Sequence, residues 1–166
     1  MRVSALFSIC VVAAYGCLQP GLGRGVNDPV QTKHYPVEKS DAEWKRTLSP
    51  EAYQVLRHAA TETAFTGKFH DNHAPGTYFC AGCGQKLFMS SAKFDSGTGW
   101  PSFWRPAGSK SVVERQDRSY GMIRTEVLCS RCGGHLGHVF DDGPQPTGLR
   151  YCINSIALNF VPADGK

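Results

Sequence analysis

The sequence predicts a mainly β fold behind short N-terminal helices, with a structural zinc site, and three observations carry that prediction. From Gly67 onward, short apolar runs alternate with clusters of Gly, Pro, Asp and Ser, the texture of brief strands joined by tight turns. Ahead of that region stand two segments with helix-start signals. Four cysteines form two C-x-x-C knuckles, Cys80/Cys83 and Cys129/Cys132, suited to a closed tetrahedral shell of thiolates. With 166 residues, 41% hydrophobic and 19% charged, the chain suffices for one domain with a core and is too short for two of usual size.

The N-terminal segment differs in kind from the rest. Met1-Arg2 precedes an apolar run from Val3 to Gly16, and no further charge occurs before Arg24. A run of that length is too short to cross a bilayer comfortably and matches a secretory signal. Small residues at Ala14 and Gly16 place cleavage before Cys17. A cysteine there also resembles a lipoprotein signal, in which Cys17 would carry lipid. Residues 1–16 are therefore expected to direct export, to a periplasm or lipid-anchored at a membrane, or through a secretory route in a eukaryote. Residues 17–39, rich in Gly, Pro and polar types, read as a linker.

Ser40-Asp41-Ala42-Glu43 has the form of a capping box, with Trp44 and Leu48 on one side of the helix it starts. Ser49-Pro50-Glu51 restarts with an N-cap serine, proline at the first helical position and an acid in the first turn. Tyr53, Leu56 and Ala60 continue as an apolar stripe, so a second helix is expected at about Pro50 to Ala59, with Trp44, Tyr53 and Leu56 in the core. Strands are expected at Thr77–Phe79, Leu87–Met89, Ser111–Val113, Gly121–Cys129, His138–Phe140 and Leu149–Val161.

Net charge is +4, from 18 basic and 14 acidic residues with no basic block, which excludes the electrostatic footprint of a nucleic-acid binder. Each knuckle follows an expected strand, and its small residues and glycines let the backbone bend around a metal. Forty-five residues separate the knuckles, so one metal would pin two distant hairpins together. Two redox-active dithiols or two structural disulfides are the alternatives.

A fifth cysteine, Cys152, stands alone in R-Y-C-I-N-S. In an extended strand Arg150, Cys152 and Asn154 share a face, which sets a guanidinium, a thiol and an amide side by side. A positive neighbour favours the thiolate that attacks, and the amide could donate to an oxygen or orient an imidazole. A buried structural cysteine is the plain alternative. His135 and His138 stand three apart just after the second knuckle. The thiolates already fill a zinc shell, so these imidazoles suit proton transfer to a leaving oxygen or sulfur, with metal ligation or a plain surface position as the alternatives. Phe94 to Trp104 packs aromatics onto a Gly-rich turn, a wall for a methyl or thioether group or simply core. Tyr120, ahead of Gly121-Met122, is open to two roles, substrate contact or packing.

Taken together, G-T-G-W-P-S-F (97–103), G-G-H-L-G-H-V-F (133–140), D-D-G-P-Q-P-T-G (141–148), R-Y-C-I-N-S (150–155) and both knuckles resemble the B-type methionine sulfoxide reductases, from about Ser40 to Pro162. The resemblance implies two antiparallel sheets, tent- or barrel-like, over a domain at residues 40–163, with one structural zinc ion on Cys80, Cys83, Cys129 and Cys132. It implies reduction of the R epimer of methionine sulfoxide, free or within proteins. Cys152 would be the nucleophile and pass through a sulfenic acid. His135, His138 and Asn154 would hold and protonate the sulfoxide oxygen, Arg150 would favour the thiolate, and Trp100 with Phe103 would bind substrate. Many members carry a resolving cysteine in the G-x-G-W-P turn. Thr98 stands there instead, so an outside thiol, thioredoxin-like or small, is expected to recycle the enzyme. A free Cys17 is the other conceivable resolving thiol. A monomer is expected, with no nucleic-acid partner and no membrane contact beyond a lipid on Cys17. A zinc-ribbon-like binding module with a structural Cys152, and a dithiol oxidoreductase using a knuckle, are the readings of other classes.

Overall fold

The computed structural model describes residues 34–164. The expected export segment, Cys17 and the linker as far as residue 33 lie outside the described residues. The end of that linker is packed rather than free. Val37 N–H donates to the Arg131 carbonyl at 2.8 Å, and Tyr35 lies so close to Gly133 that a Cβ there would meet its ring at 2.4 Å.

Both helix-start signals act as expected. In α1 (Asp41–Thr47) the Ser40 hydroxyl accepts from Glu43 N–H, while the Glu43 carboxylate accepts from Ser40 N–H, closing the capping box. In α2 (Pro50–His58) the Ser49 hydroxyl accepts from Ala52 N–H, and the helix ends at Ala59 in a left-handed conformation. Trp44, Tyr53, Val55 and Leu56 are buried, and the Tyr53 hydroxyl donates to the Asp41 carboxylate to tie the two helices. No described helix is long and apolar enough to cross a membrane.

The remainder is two antiparallel sheets, as the resemblance implied. One has three strands in the order β2 (Lys86–Met89), β1 (Gly76–Cys80), β9 (Leu158–Pro162). The other has six in the order β3 (Lys93–Phe94), β4 (Ser102–Phe103), β8 (Arg150–Ile153), β7 (His135–Phe140), β6 (Arg124–Cys129), β5 (Val112–Asp117). Core aromatics join the sheets. Phe103 stacks on Phe88 with centroids 4.4 Å apart and meets Tyr78 edge-on at 5.1 Å.

One strand expectation needs correction. The run Leu149–Val161 is not one strand: a 3-10 turn at Ser155–Ala157 breaks it into β8 and β9, which belong to different sheets. Asn154 is thus outside β8, and the alternation expected for Arg150, Cys152 and Asn154 stops at Ile153. The two-residue strands β3 and β4 inside the Gly-rich aromatic segment were not anticipated, since two residues carry no readable period.

Candidate functional site

The two knuckles meet at one point. The Sγ atoms of Cys80, Cys83, Cys129 and Cys132 all lie within 4.8 Å of one another, with Cys80–Cys132 at 3.7 Å and Cys83–Cys129 at 3.5 Å. A sulfur–sulfur bond is about 2.05 Å long, so these contacts are not disulfides, and all five described cysteines are free. Zinc–sulfur bonds of about 2.3 Å in a tetrahedron put the sulfurs about 3.8 Å apart, which the observed spacings fit. Three of the four thiols are buried, and so crowded a set of thiolates needs a cation between them. The cluster could hold a metal ion and fits zinc. All four positions are occupied by protein, which leaves a cross-link and no catalytic vacancy.

Cys152 sits apart from that cluster, in the middle of the large sheet. Strand register aligns Arg115, Glu126, His138, Cys152 and Ser102 as one row across β5, β6, β7, β8 and β4. Directly opposed residues on paired strands share a face, so this row is polar while Phe103, Tyr151 and Val127 fill the core on the other side. A cavity of about 150 Å3 opens over the row, lined by Cys152, His138, Trp100, Asn154, Arg124 and Phe140 among others. Its back wall is close backbone. A Cβ on Gly137 would lie 2.0 Å from the Cys152 carbonyl oxygen, so only glycine lets β7 approach β8 there.

The thiol is less acidic than its neighbourhood suggested. Burial pushes the Cys152 pKa above the ordinary thiol value, against the opposing pull of the Thr98 hydroxyl at 3.9 Å and of Arg150. Arg150 pulls the thiol toward the thiolate, as expected of it, but burial outweighs that pull. The Arg150 guanidinium is already bound to both oxygens of Asp142, at 2.8 and 2.9 Å, and lies over the Phe140 ring at 4.5 Å.

His138 stands directly opposite Cys152 on the neighbouring strand and lines the same cavity. Its Nε2–H donates to Asp117 Oδ2 at 2.9 Å, which leaves Nδ1 of a neutral ring free to accept a proton. Burial lowers the His138 pKa more than the Asp117 bond raises it, so the ring is neutral near pH 7. Asp117 is itself held well below the carboxylate range by the Ser119 N–H and hydroxyl, then by His138, with a smaller contribution from Arg124. His135 is buried, 5.5 Å from the His138 ring, and its Nδ1–H donates to Glu126 Oε1 at 2.7 Å. Arg115 holds the other Glu126 oxygen at 2.7 and 3.0 Å. His135 Nε2 has no hydrogen-bond partner among the described residues, and the residue is not in the cavity wall.

Two further expected residues take different places. Asn154 lines the cavity, but its Nδ2 donates to the Leu136 carbonyl and its Oδ1 accepts from Glu62 N–H, both at 3.0 Å. It anchors backbone and orients neither imidazole. Phe103 is wholly buried between the sheets and does not reach the cavity. Trp100 does, and its Nε1–H donates to the Glu62 carbonyl at 3.2 Å. Tyr120 neither packs nor lines the cavity; it stands 90% exposed on the β5–β6 hairpin.

Asp117, Glu126, Arg124 and Glu62 belong to this arrangement and were not singled out from the sequence. Glu62 helps to tie the segment after α2 to the site, with its carboxylate accepting from Ser155 N–H and Ile156 N–H at 2.6 and 2.9 Å. A signal existed for Glu126, an acid directly ahead of the apolar run V-L-C (127–129) that ends a strand. Asp117 had only an Asx-turn pattern at a hairpin tip.

Comparison with known proteins bears on this arrangement. The family model described as the SelR domain matches residues 48–162. A protein of Thiobacillus denitrificans named peptide methionine sulfoxide reductase MsrB is 63% identical over 126 residues, covering 76% of this chain and 96% of its own length. A protein of the same name from Leptospira interrogans is 58% identical over 127 residues (76% of this chain, 97% of its own). Another from Methanosarcina barkeri is 60% identical over 131 residues (78% and 92%).

Proposed function

The chain belongs to the SelR-domain family of B-type peptide methionine sulfoxide reductases, and on that footing we propose that it reduces the R epimer of methionine sulfoxide, free or protein-bound, through Cys152. The observation that carries the reading is a lone thiol in a cavity wall, cross-strand from a neutral imidazole whose orientation a carboxylate fixes.

In this mechanism Nδ1 of His138 takes the Cys152 thiol proton as the sulfur attacks the sulfoxide sulfur, and returns it to the oxygen. In the adduct so formed the oxygen passes to Cys152 as a sulfenic acid while the sulfoxide sulfur–oxygen bond and the new sulfur–sulfur bond both break, and methionine leaves as the reduced thioether. Two equivalents of an external thiol then restore Cys152, releasing water and a disulfide. An external reductant is needed because, among the described residues, every other cysteine is in a knuckle and Thr98 faces Cys152 from the turn. Trp100 gives the cavity an apolar wall for the methyl group. Cys80, Cys83, Cys129 and Cys132 would hold zinc, which supplies a cross-link and takes no part in the chemistry. Export on residues 1–16 is proposed on composition alone, and is tested by whether a fusion to that segment leaves the cytoplasm.

The test is a single turnover. Zinc-loaded protein, reduced and then freed of reductant, is mixed with separated R and S epimers, beside Cys152→Ser. About one methionine per chain from the R epimer only, absent in the variant, is expected from one oxidisable thiol. No methionine from either epimer with folded, metal-loaded protein would sink the reading. The zinc-built binding module would then take its place.

A further inference from the structure

Three hydroxyls of the Gly-rich turn form a continuous chain that ends on the Cys152 sulfur. Ser102 Oγ is 2.7 Å from Ser96 Oγ, Ser96 Oγ is 2.8 Å from Thr98 Oγ1, and Thr98 Oγ1 is 3.9 Å from Cys152 Sγ. The chain is anchored at both ends by strand register. Ser102 is fully buried opposite Cys152 on β4 and donates to the Trp100 carbonyl at 3.3 Å. The turn between them is fixed by Asp95 Oδ1, which accepts from Gly97 N–H, and by Ser96 Oγ, which accepts from Thr98 N–H.

Proton accounting gives this chain a property that a single hydroxyl lacks. With Ser102 donating to a carbonyl, the Ser96 and Thr98 protons can point either way. When Cys152 is a thiol, S–H donates to Thr98, Thr98 to Ser96 and Ser96 to Ser102. When Cys152 is a thiolate, Thr98 turns its proton onto the sulfur, and Ser96 still donates within the chain. Neither state leaves a buried hydroxyl proton without an acceptor, so reversal carries no penalty of an unmade hydrogen bond.

We propose that Ser96, Thr98 and Ser102 are a reversible hydrogen-bond relay that positions the Thr98 hydroxyl to stabilise the thiolate of Cys152. Thr98 touches the reacting atom; Ser96 and Ser102 act through it as positioning residues. The assignment of Cys152 as the reacting group rests on the function proposed above. Around that sulfur the charged and titratable groups are Arg150 on its own strand, Asp142 in the preceding loop, His138 opposite on β7 and Arg124 across the cavity; β4 contributes only Ser102.

The test needs no sulfoxide, so its failure is separable from failure of the reductase reading. The full metal-loaded chain is alkylated with iodoacetamide over a range of pH, and modification of Cys152 is followed by peptide mass. Thr98→Val, which keeps shape and loses the hydroxyl, should raise the midpoint by about one pH unit, a loss of about tenfold in rate below the midpoint. Ser96→Ala should raise it by less, and Thr98→Ser, which keeps the hydroxyl, should restore it. Metal content and near-ultraviolet dichroism establish that each variant is folded. Equal midpoints for wild type and Thr98→Val, or equal shifts for Thr98→Val and Thr98→Ser, would overturn the relay.

Discussion

At the scale of single residues, Cys152 and His138 illustrate how burial sets chemistry. Burial pushes the thiol up and the imidazole down, so each environment favours the neutral form, and in the proposed mechanism the proton moves only as the reaction proceeds. As the proposed base, His138 must be unprotonated to act, and burial holds its pKa below the usual imidazole value. Activity should therefore hold as pH falls below about 6.5 and drop only at lower pH. Asp117→Asn removes the carboxylate that raises the His138 pKa and fixes its tautomer. We expect the acid limb to move further down and kcat to fall on the order of tenfold or more, read from a pH–rate profile with free methionine sulfoxide. An unchanged profile would remove Asp117 from the site. The sign for stability follows from the same shifts. Folded His138 takes up its proton at lower pH than the unfolded chain does, so stability is lost as pH falls below about 6.5. Glu126 is held low by His135 and Arg115 in spite of its burial, and Asp117 by Ser119 and His138. Their contribution is present above about pH 4 and disappears as pH falls through their folded values. Cys152 as a reactive candidate was legible from its isolation among paired cysteines. Glu126 and Asp117 were not, because their partners lie on other strands.

At the scale of elements, the site is made where β7 passes β8 with no room for a side chain at Gly137. Gly137 is where this can be tested. Gly137→Ala would drive a methyl into the Cys152 carbonyl at 2.0 Å, so β8 must move. Activity should be lost with the metal cluster intact, since Gly137 is outside it; full activity in folded Gly137→Ala would show that the close approach is dispensable. Glu62 plays the corresponding part for the segment after α2, joining Trp100, Asn154, Ser155 and Ile156. Glu62→Gln keeps the size and weakens the two charge-assisted bonds, and should cost about 1.5–3 kcal/mol in chemical denaturation; an unchanged midpoint would make the strap incidental. The helices were legible because capping boxes and N1 prolines are local signals. The break at Ser155–Ala157 was not, because R-Y-C-I-N-S-I-A-L-N-F has strand character throughout and only the divergence of two sheets interrupts it.

For the molecule as a whole, the knuckles join the two sheets: Cys80 ends β1 of one and Cys129 ends β6 of the other. Structural zinc contributes roughly 10–16 kcal/mol in small peptides, comparable with the whole stability of a domain, about 5–15 kcal/mol. Removing metal with a strong chelator should therefore unfold the chain, and Cys80→Ser should fail to retain metal or fold. Native near-ultraviolet dichroism in metal-free protein would refute a structural role. The sequence by itself determined the helices, the knuckles, the mainly β body and Cys152 as the odd thiol, since capping, strand texture and chelating turns are written in consecutive residues. Tertiary structure alone decided which residues face that thiol. The row Arg115–Glu126–His138–Cys152–Ser102 is assembled from five strands, and a register shift by one residue on any of them would turn its member into the core. No local pattern encodes that register; it is set by the packing of Phe103, Tyr151 and Val127 on the opposite face and by the glycine that lets two backbones meet.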